Sequence, residues 1–209
     1  ADREEGQAEP PGADQAGVLV AGEISVAIIG LGSRGLSVLE RVVTLSGKAG
    51  VAAGPVRVEL IDPDCDGAGV HGTGQPDYLL LNTTCGQVSM FPDPPSVGDD
   101  LDGSGPSLYE WVTERGLRMG QDGFTVGRTG RAIRPTDFLP RRVLGEYLGW
   151  FLRQVLAGAP AHLRVSMHRT TAVDIRAEPD GPLVIGLAGG SEVRAGHVFL
   201  TTGYTPNAA

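Results

Sequence analysis

The chain has 209 residues, which is enough for one sizeable hydrophobic core with accessory segments. Its formal net charge is -8, and no cluster of Lys and Arg with interleaved aromatic residues occurs, so a nucleic-acid partner is not expected. Apolar runs stay below the ~18 residues that cross a bilayer, and no basic-then-apolar leader opens the sequence; we therefore expect no membrane partner and a cytoplasmic location.

The first 22 residues differ in composition from the rest of the chain. They hold five acids and one Arg, with a Pro10-Pro11-Gly12 break and few apolar positions. This composition predicts a flexible acidic tail over residues 1–22. The remainder, residues 23–209, is predicted to form one domain.

A glycine-rich turn follows the first apolar run. Residues 24–29 are apolar and β-branched, then comes Gly30-x-Gly32-x-x-Gly35, and residues 36–43 carry apolar side chains at helical spacing. This order predicts a strand, a tight turn and a helix, which is the pattern of a dinucleotide-binding site. Gly30 permits the turn, Gly32 leaves room for a pyrophosphate, and Gly35 allows close packing of helix and strand. The phosphate charge would lie at the positive end of the helix dipole.

A second strand is predicted over residues 56–61, which completes a β-α-β unit ending at Asp62. Such units place an acid there to bind the ribose hydroxyls of the cofactor. Asp62 lies 32 residues after Gly30, later than the usual interval of about 20, and the Gly/Ala-rich residues 47–55 account for the surplus. The alternative is that Asp62 begins an Asp62-Pro63-Asp64 turn.

A second glycine-rich loop occupies residues 66–76. It serves either as a connector or as a segment that wraps the cofactor. Asn82 and Gln87 follow it, and each offers a hydrogen-bond donor and an acceptor suited to the edge of a heterocycle. Alone, they are equally typical of turns.

The middle of the chain alternates loops with two helices. Residues 92–106 predict a surface loop, and the Ser107-x-x-Glu110 capping box begins a short helix. Residues 113–134 have little to bury and predict an excursion from the sheet. A longer helix should run from Pro140 to about Leu156.

The last third predicts strands. Residues 163–168, 171–176 and 183–187 alternate or run apolar between turn signals, and we expect them to form a β-meander. Residues 197–203 form a near-continuous apolar run that suits a buried parallel strand returning to the main sheet. Gly203 at its end would let the backbone approach the cofactor.

The sequence contains no recognisable motif for catalysis by side chains. Gly-x-Ser-x-Gly, His-Glu-x-x-His and the P-loop Lys are all absent, and the four histidines fall at unrelated positions. Only His71 lies in a loop near the predicted cofactor. Cys65 and Cys85 are interpreted as reduced structural residues. We therefore predict neither a nucleophile nor a metal site.

The order of several spaced motifs resembles the FAD/NAD(P)-binding domain of FAD-dependent urate hydroxylase and aspartate N-hydroxylating monooxygenase, relatives of the ornithine and lysine N-hydroxylases. The resemblance runs from about Ile24 to Pro206. The motifs that carry it are Val26–Arg41, Leu81-Asn82-Thr83 with Gly86-Gln87-Val88, Gly105–Trp111, Pro140-Arg141-Arg142 before Tyr147–Trp150, and Thr201-Thr202-Gly203.

The resemblance implies an α/β fold: a Rossmann-like parallel sheet with helices and an inserted β-meander, holding FAD in extended form. Reduced flavin would pass one oxygen of O2 to a nitrogen or carbon of a small-molecule substrate, with NAD(P)H as the reductant. The resemblance also implies the cofactor contacts. The pyrophosphate would lie on Gly30, Gly32, Ser33 and Gly35, and the ribose on Asp62. The adenine would lie on main chain near Val173 and the isoalloxazine near Asn82 and Gln87, with Arg34 as a further candidate for poising the flavin.

The sequence departs from the family pattern in carrying no second strand-turn-helix unit with Gly-x-Gly-x-x-Gly and no separate nicotinamide region. Three interpretations follow: a fragment with a missing C-terminal region, one subunit of a split enzyme, or a non-catalytic FAD-binding or nucleotide-binding module that supports a partner. A plain NAD-dependent dehydrogenase is a further alternative, but this sequence lacks the Tyr-Lys or His-Asp arrangement of such an enzyme.

Overall fold

The computed structural model describes residues 22–92, 105–179 and 181–203. The predicted tail, except Gly22, and most of the predicted 92–106 loop lie outside the described residues. None of the described helices has the length and apolarity needed to cross a membrane. The elements, in chain order, are β1 Ile24–Ile29, α1 Ser33–Ala49, β2 Val56–Ile61, α2 Leu108–Glu114, β3 Arg118–Met119, β4 Val126–Gly127, β5 Arg131–Ala132, α3 Arg141–Ala157, β6 Leu163–His168, β7 Ala172–Ala177, β8 Leu183–Leu187, β9 Glu192–Ala195 and β10 His197–Leu200.

A parallel sheet with the strand order β10-β1-β2-β6 forms the centre of the fold. The register pairs Val26 with His197 on one side and with Val58 on the other. β1 and β2 are almost entirely buried, as expected for parallel strands covered on both faces. The predicted β-α-β unit and the parallel return of the final strand are therefore confirmed. The predicted burial of that strand is wrong, because β10 lies at the edge of the sheet with Phe199 and Leu200 exposed.

The helices cover one face of this sheet. Leu36 and Leu39 of α1 and Phe151 of α3 are fully buried in one core with the side chains of β1 and β2. The capping box at the start of α2 is present, with the Ser107 hydroxyl accepting from the Glu110 main-chain N–H. β3, β4 and β5 form a small separate sheet, which matches the predicted excursion.

An antiparallel sheet, β7-β8-β9, covers the opposite face. Ile185, Val193 and Ala195 pack there against Ala27 and Ile29 of β1. This is the inserted meander, but its membership differs from the prediction. Residues 163–168 are β6, the parallel neighbour of β2, because a strand that directly follows a helix can pair in parallel. The third meander strand is β9, which the sequence analysis did not predict.

A group of charged side chains is buried beneath the meander. The Glu59 carboxylate, 5% exposed, lies 2.6 Å from His168 Nε2 and accepts a hydrogen bond from Arg57 at 2.5 Å. Arg57 also donates to Glu23 at 3.1 Å and to the Arg194 carbonyl at 3.2 Å. These bonds join the parallel sheet to the meander strand β9.

Burial alone would raise the pKa of Glu59, but the hydrogen bonds from His168 and Arg57 outweigh it and hold that pKa below its usual range. Because a lowered pKa favours the folded state at higher pH, this contribution is present above the ordinary Glu pKa of about 4.3 and is lost as the pH falls through the folded-state value.

We therefore expect Glu59→Gln to lower the free energy of unfolding at pH 7 by about 1–3 kcal/mol. The difference from wild type should shrink below about pH 4, as the wild-type carboxyl becomes protonated. Urea denaturation followed by circular dichroism between pH 3 and 7 measures both. A constant difference across that range would contradict this assignment.

Candidate cofactor site

The turn between β1 and α1 is packed through its glycines. Gly30 has a φ of +92°, and a Cβ on it would lie 2.7 Å from the Thr201 carbonyl oxygen. A Cβ on Gly35 would lie 2.1 Å from the Gly30 carbonyl oxygen. Both glycines are therefore required by the close approach of backbone to backbone, as the sequence predicted for the turn and for helix packing.

The N-terminus of α1 keeps its donors available. Gly32 caps the helix without a side-chain hydrogen bond, and the first turn holds no acid. Within the described residues, the N–H groups of Gly32, Ser33, Arg34 and Gly35 meet no acceptor, and Leu36 makes the first helical bond, to Gly32 at 2.9 Å. These amides and the helix dipole make the end of α1 electropositive.

A cleft of about 340 Å³ opens over this helix end. This volume lies within the range of small-molecule sites. The cleft is walled by four parts of the chain: the turn with Gly30, Gly32, Ser33 and Arg34, the end of β2 with Asp62, the loop Gly69–His71, and Thr201–Gly203 after β10. Six of the sequence-predicted residues thus line one cleft, and Gly35 lies beneath the turn.

Asp62 lines the cleft and also fastens its floor. One carboxylate oxygen accepts from the Leu31 N–H at 2.9 Å, and the other accepts from the N–H groups of Asp64 and Cys65 at 3.0 and 2.9 Å. The alternative interpretation, in which Asp62 begins a turn, is therefore correct for the bonds to Asp64 and Cys65. Ribose binding by Asp62 remains a prediction, compatible with these bonds because the oxygen that accepts from Leu31 has a second acceptor site.

Thr201 is a site residue that the sequence analysis missed. Its hydroxyl lies 3.0 Å from the Ile29 carbonyl oxygen and 2.6 Å from that of Gly30, and its N–H donates to Ile29 at 2.8 Å. Thr201 therefore ties the end of β10 to the glycine turn. The available signal was a hydroxyl residue at the end of an apolar run, although β10 itself is an exposed edge strand.

The loop after β2 is held against α3. A Cβ on Gly145 would lie 1.9 Å from the His71 carbonyl oxygen, so only glycine allows the loop to approach so closely. On its other side, the loop places Gly69 against Gly32, where a Cβ on Gly69 would lie 2.9 Å from Gly32 Cα. The loop therefore forms a wall of the cleft, which favours the cofactor-wrapping interpretation.

His71 contributes an imidazole to this wall. Its Nδ1 is buried and has no hydrogen-bond partner among the described residues. Burial, with a smaller effect from Arg141, lowers the pKa of His71. The ring is therefore neutral at pH 7, and its Nδ1 is available for a bond to a ligand.

Three predicted cofactor residues do not line the cleft. Asn82 and Gln87 are exposed, and the Gln87 side chain accepts from the Thr84 hydroxyl at 3.1 Å. Val173 is exposed on β7. Their assignments to the isoalloxazine and the adenine remain predictions.

The fold and the cleft together define a dinucleotide-binding domain of the Rossmann type. The chain belongs to the FAD-NAD(P)-binding family, whose model matches residues 27–205. This confirms the fold class and the resemblance drawn from the sequence motifs, and with them FAD as the cofactor.

Curated relatives agree with this family. An L-aspartate N-monooxygenase (nitrosuccinate-forming) of Streptomyces cremeus is 42% identical over 170 residues, 76% of this chain and 25% of that protein. Nitrosuccinic acid synthase of Aspergillus oryzae is 34% identical over 87% of this chain and 26% of its own length. The chain thus spans about a quarter of the length of these relatives.

Solved structures support the fold. A flavin monooxygenase double mutant from Stenotrophomonas maltophilia superposes with a TM-score of 0.50 at 17% identity, covering 88% of this chain and 41% of that one.

We expect Gly32→Val to abolish FAD retention while leaving the fold intact. Gly32 has ordinary extended φ and ψ, and its Cβ would meet only Gly69 Cα, at 3.7 Å, so the new side chain projects beside the open amides. Flavin absorbance per mole of purified protein measures retention, and the melting temperature reports the fold. Gly127→Val, at a strand position with open space, is the matched control. Full FAD content in Gly32→Val would exclude this pyrophosphate position.

A second pair of variants tests whether FAD binding depends on the position of the loop wall rather than on the stability of a helix. Gly145→Ala should displace the 66–71 loop and weaken FAD binding by about tenfold or more, because the Cβ cannot share space with the His71 carbonyl. Gly47→Ala, a helical glycine of α1 with nothing within 4 Å, should bind FAD normally and stabilise the chain by about 0.5–1 kcal/mol. Fluorescence titration with FAD measures both. Equal affinities in the two variants would contradict the role of the wall.

Proposed function

We propose that this chain is the FAD-binding part of a NAD(P)H-dependent monooxygenase that hydroxylates nitrogen or carbon of a small molecule. The observation that carries the proposal is the glycine turn, whose amides meet no acceptor among the described residues and open into a cleft of small-molecule size. The family match and the names of the curated relatives support it. By that similarity, N-hydroxylation of an amino-acid amine is the first reaction to test.

The cleft fits the diphosphate of FAD in charge and in shape. The diphosphate carries negative charge, and the cleft offers N–H donors at the positive end of α1 with no acid in the first turn. Gly32 adds no side chain between those donors and a ligand. We propose that the pyrophosphate binds here, on the turn formed by Gly30, Gly32, Ser33 and Gly35.

The remaining FAD contacts are assigned from the sequence and the cleft. Asp62 would accept from ribose hydroxyls at one end, and Gly203, with a φ of +70°, would allow close backbone approach. Arg34 supplies a positive charge at the rim. We retain main chain near Val173 for the adenine, and Asn82 and Gln87 for the isoalloxazine.

Bound FAD would supply the redox chemistry, by accepting a hydride from a reduced nicotinamide and activating O2. The chain's own contribution is to bind and orient. The amides of α1 neutralise charge, Thr201 and Asp62 hold the turn rigid, and the loop Gly69–His71 covers one side of the cleft and limits the access of water.

Other parts of the enzyme would complete the reaction. Because the chain spans about a quarter of the relatives it matches, we propose that a further region of the same protein or a second subunit binds NAD(P)H and completes the substrate pocket.

The absorption spectrum of the purified chain tests the proposal. We expect the bands of oxidised flavin, and FAD rather than FMN in the heat-released extract. A colourless chain that binds no added FAD would overturn the proposal. A colourless chain that binds NAD would instead favour a dehydrogenase.

Turnover requires a second measurement. In a complete enzyme that contains this chain, we expect NADPH to bleach the flavin and L-aspartate to stimulate oxygen uptake. Retained FAD without NAD(P)H oxidation in the complete enzyme would instead favour a non-catalytic FAD-binding module that supports a partner.

A further inference from the structure

A second cleft lies on the opposite side of the loop that covers the glycine turn. Its volume is about 470 Å³, and α2, α3 and the segment after β4 surround it. It shares only Ala68 with the cofactor cleft, so it is a separate space that the diphosphate site does not explain.

Three arginines converge on this second cleft: Arg115, Arg128 and Arg153. Across the described ranges, none of their guanidinium nitrogens lies within 4.0 Å of a carboxylate oxygen. Arg115 instead stacks on Trp111, 4.1 Å from the ring centroid, and Arg128 donates to the Arg115 carbonyl. Three like charges without counter-ions at one cleft favour an anionic ligand.

The two acids in the lining do not neutralise these arginines. Asp66 accepts from the Ala68 N–H at 2.8 Å, and Glu146 pairs with Arg142, which lies outside the lining, at 2.8 Å. The charged groups of the lining therefore sum to a positive value.

Trp111 provides an independent observation. It lines the cleft and is 3% exposed, yet its buried indole Nε1–H meets no acceptor in the described part of the chain. A buried donor without a partner is costly, and native structures rarely leave one unsatisfied. An oxygen atom of a ligand in the cleft would supply the acceptor.

We propose that this second cleft binds a small dianion, either a dicarboxylate or a phosphate group, through Arg115, Arg128 and Arg153. Guanidinium groups bind carboxylate and phosphate oxygens in pairs of parallel hydrogen bonds, and two acidic groups on one ligand would engage more than one arginine. The Trp111 indole would donate to one of the same oxygens.

Calorimetric titration of the purified chain tests the proposal, with succinate and L-aspartate as dicarboxylates, and inorganic phosphate and NADP⁺ as phosphate ligands. We expect saturable binding of one class, accompanied by a change in tryptophan fluorescence. Acetate at the same ionic strength should give neither. Saturation by the first pair identifies a dicarboxylate site, and saturation by the second identifies a phosphate site.

Variants test whether the dianion binds at these arginines. Arg128 and Arg153 are exposed, so Arg128→Gln and Arg153→Gln should fold normally and weaken binding by about fivefold to tenfold each. Arg164→Gln changes the charge equally at an exposed position on β6, outside the cleft, and should leave binding unchanged. FAD content should stay the same in all three.

Two outcomes would overturn the proposal. One is the absence of saturable binding for every dianion up to millimolar concentrations, and the other is equal weakening by Arg164→Gln and the cleft variants. Because FAD content is measured separately, either failure is distinguishable from a failure of the cofactor assignment.

Discussion

The close contact between the Gly30 turn and the backbone that leaves β10 is the constraint on which the site depends. The Gly30 N–H donates to Ile61 at the end of β2, and the Thr201 N–H donates to Ile29 at the end of β1. The ends of three parallel strands are therefore joined by hydrogen bonds at one edge of the sheet. Ligands of α/β sheets bind beyond the carboxyl ends of the strands, and here the chain's own hydrogen bonds hold that edge together.

The two faces of the sheet contribute differently to this rigidity. The helical face supplies α1, whose N-terminus carries the open amides, and α3, which supports the loop wall. The meander face is joined to β2 through Arg57, which donates both to Glu59 and to the Arg194 carbonyl. The helical face thus builds the site, while the meander fixes the strands that carry it.

Local patterns in the sequence were sufficient for the turn, the helices and the capping box, because each depends on residues within a few positions of one another. Pairing between distant strands was harder to predict from local patterns. Residues 163–168 read as a meander strand on their alternation, and only the α3 connection explains their parallel pairing with β2. β9 is short, and its pairing with β8 depends on the Gly189-Gly190 turn, where both glycines have positive φ.

The predicted cofactor residues divide along the same line. Gly30, Gly32 and Asp62 follow their own strands directly, so their position at the cleft could be predicted. Thr201 could not be ranked above its neighbours, because its partners lie 171 and 172 residues away in the chain. The second cleft was likewise out of reach, since Arg115 follows α2, Arg128 follows β4 and Arg153 lies on α3, and only tertiary packing brings these three segments together.

The loop that follows β2 lies against both clefts. It passes between the N-terminus of α1 and α3. A Cβ on Gly69 of the loop would clash with Gly32, and a Cβ on Gly145 of α3 would clash with His71 of the loop. Ala68, in this loop, lines the cofactor cleft and the second cleft alike. A displacement of the loop toward either side would therefore change the shape of both clefts at once. The two clefts are therefore linked through main chain rather than through a relay of side chains.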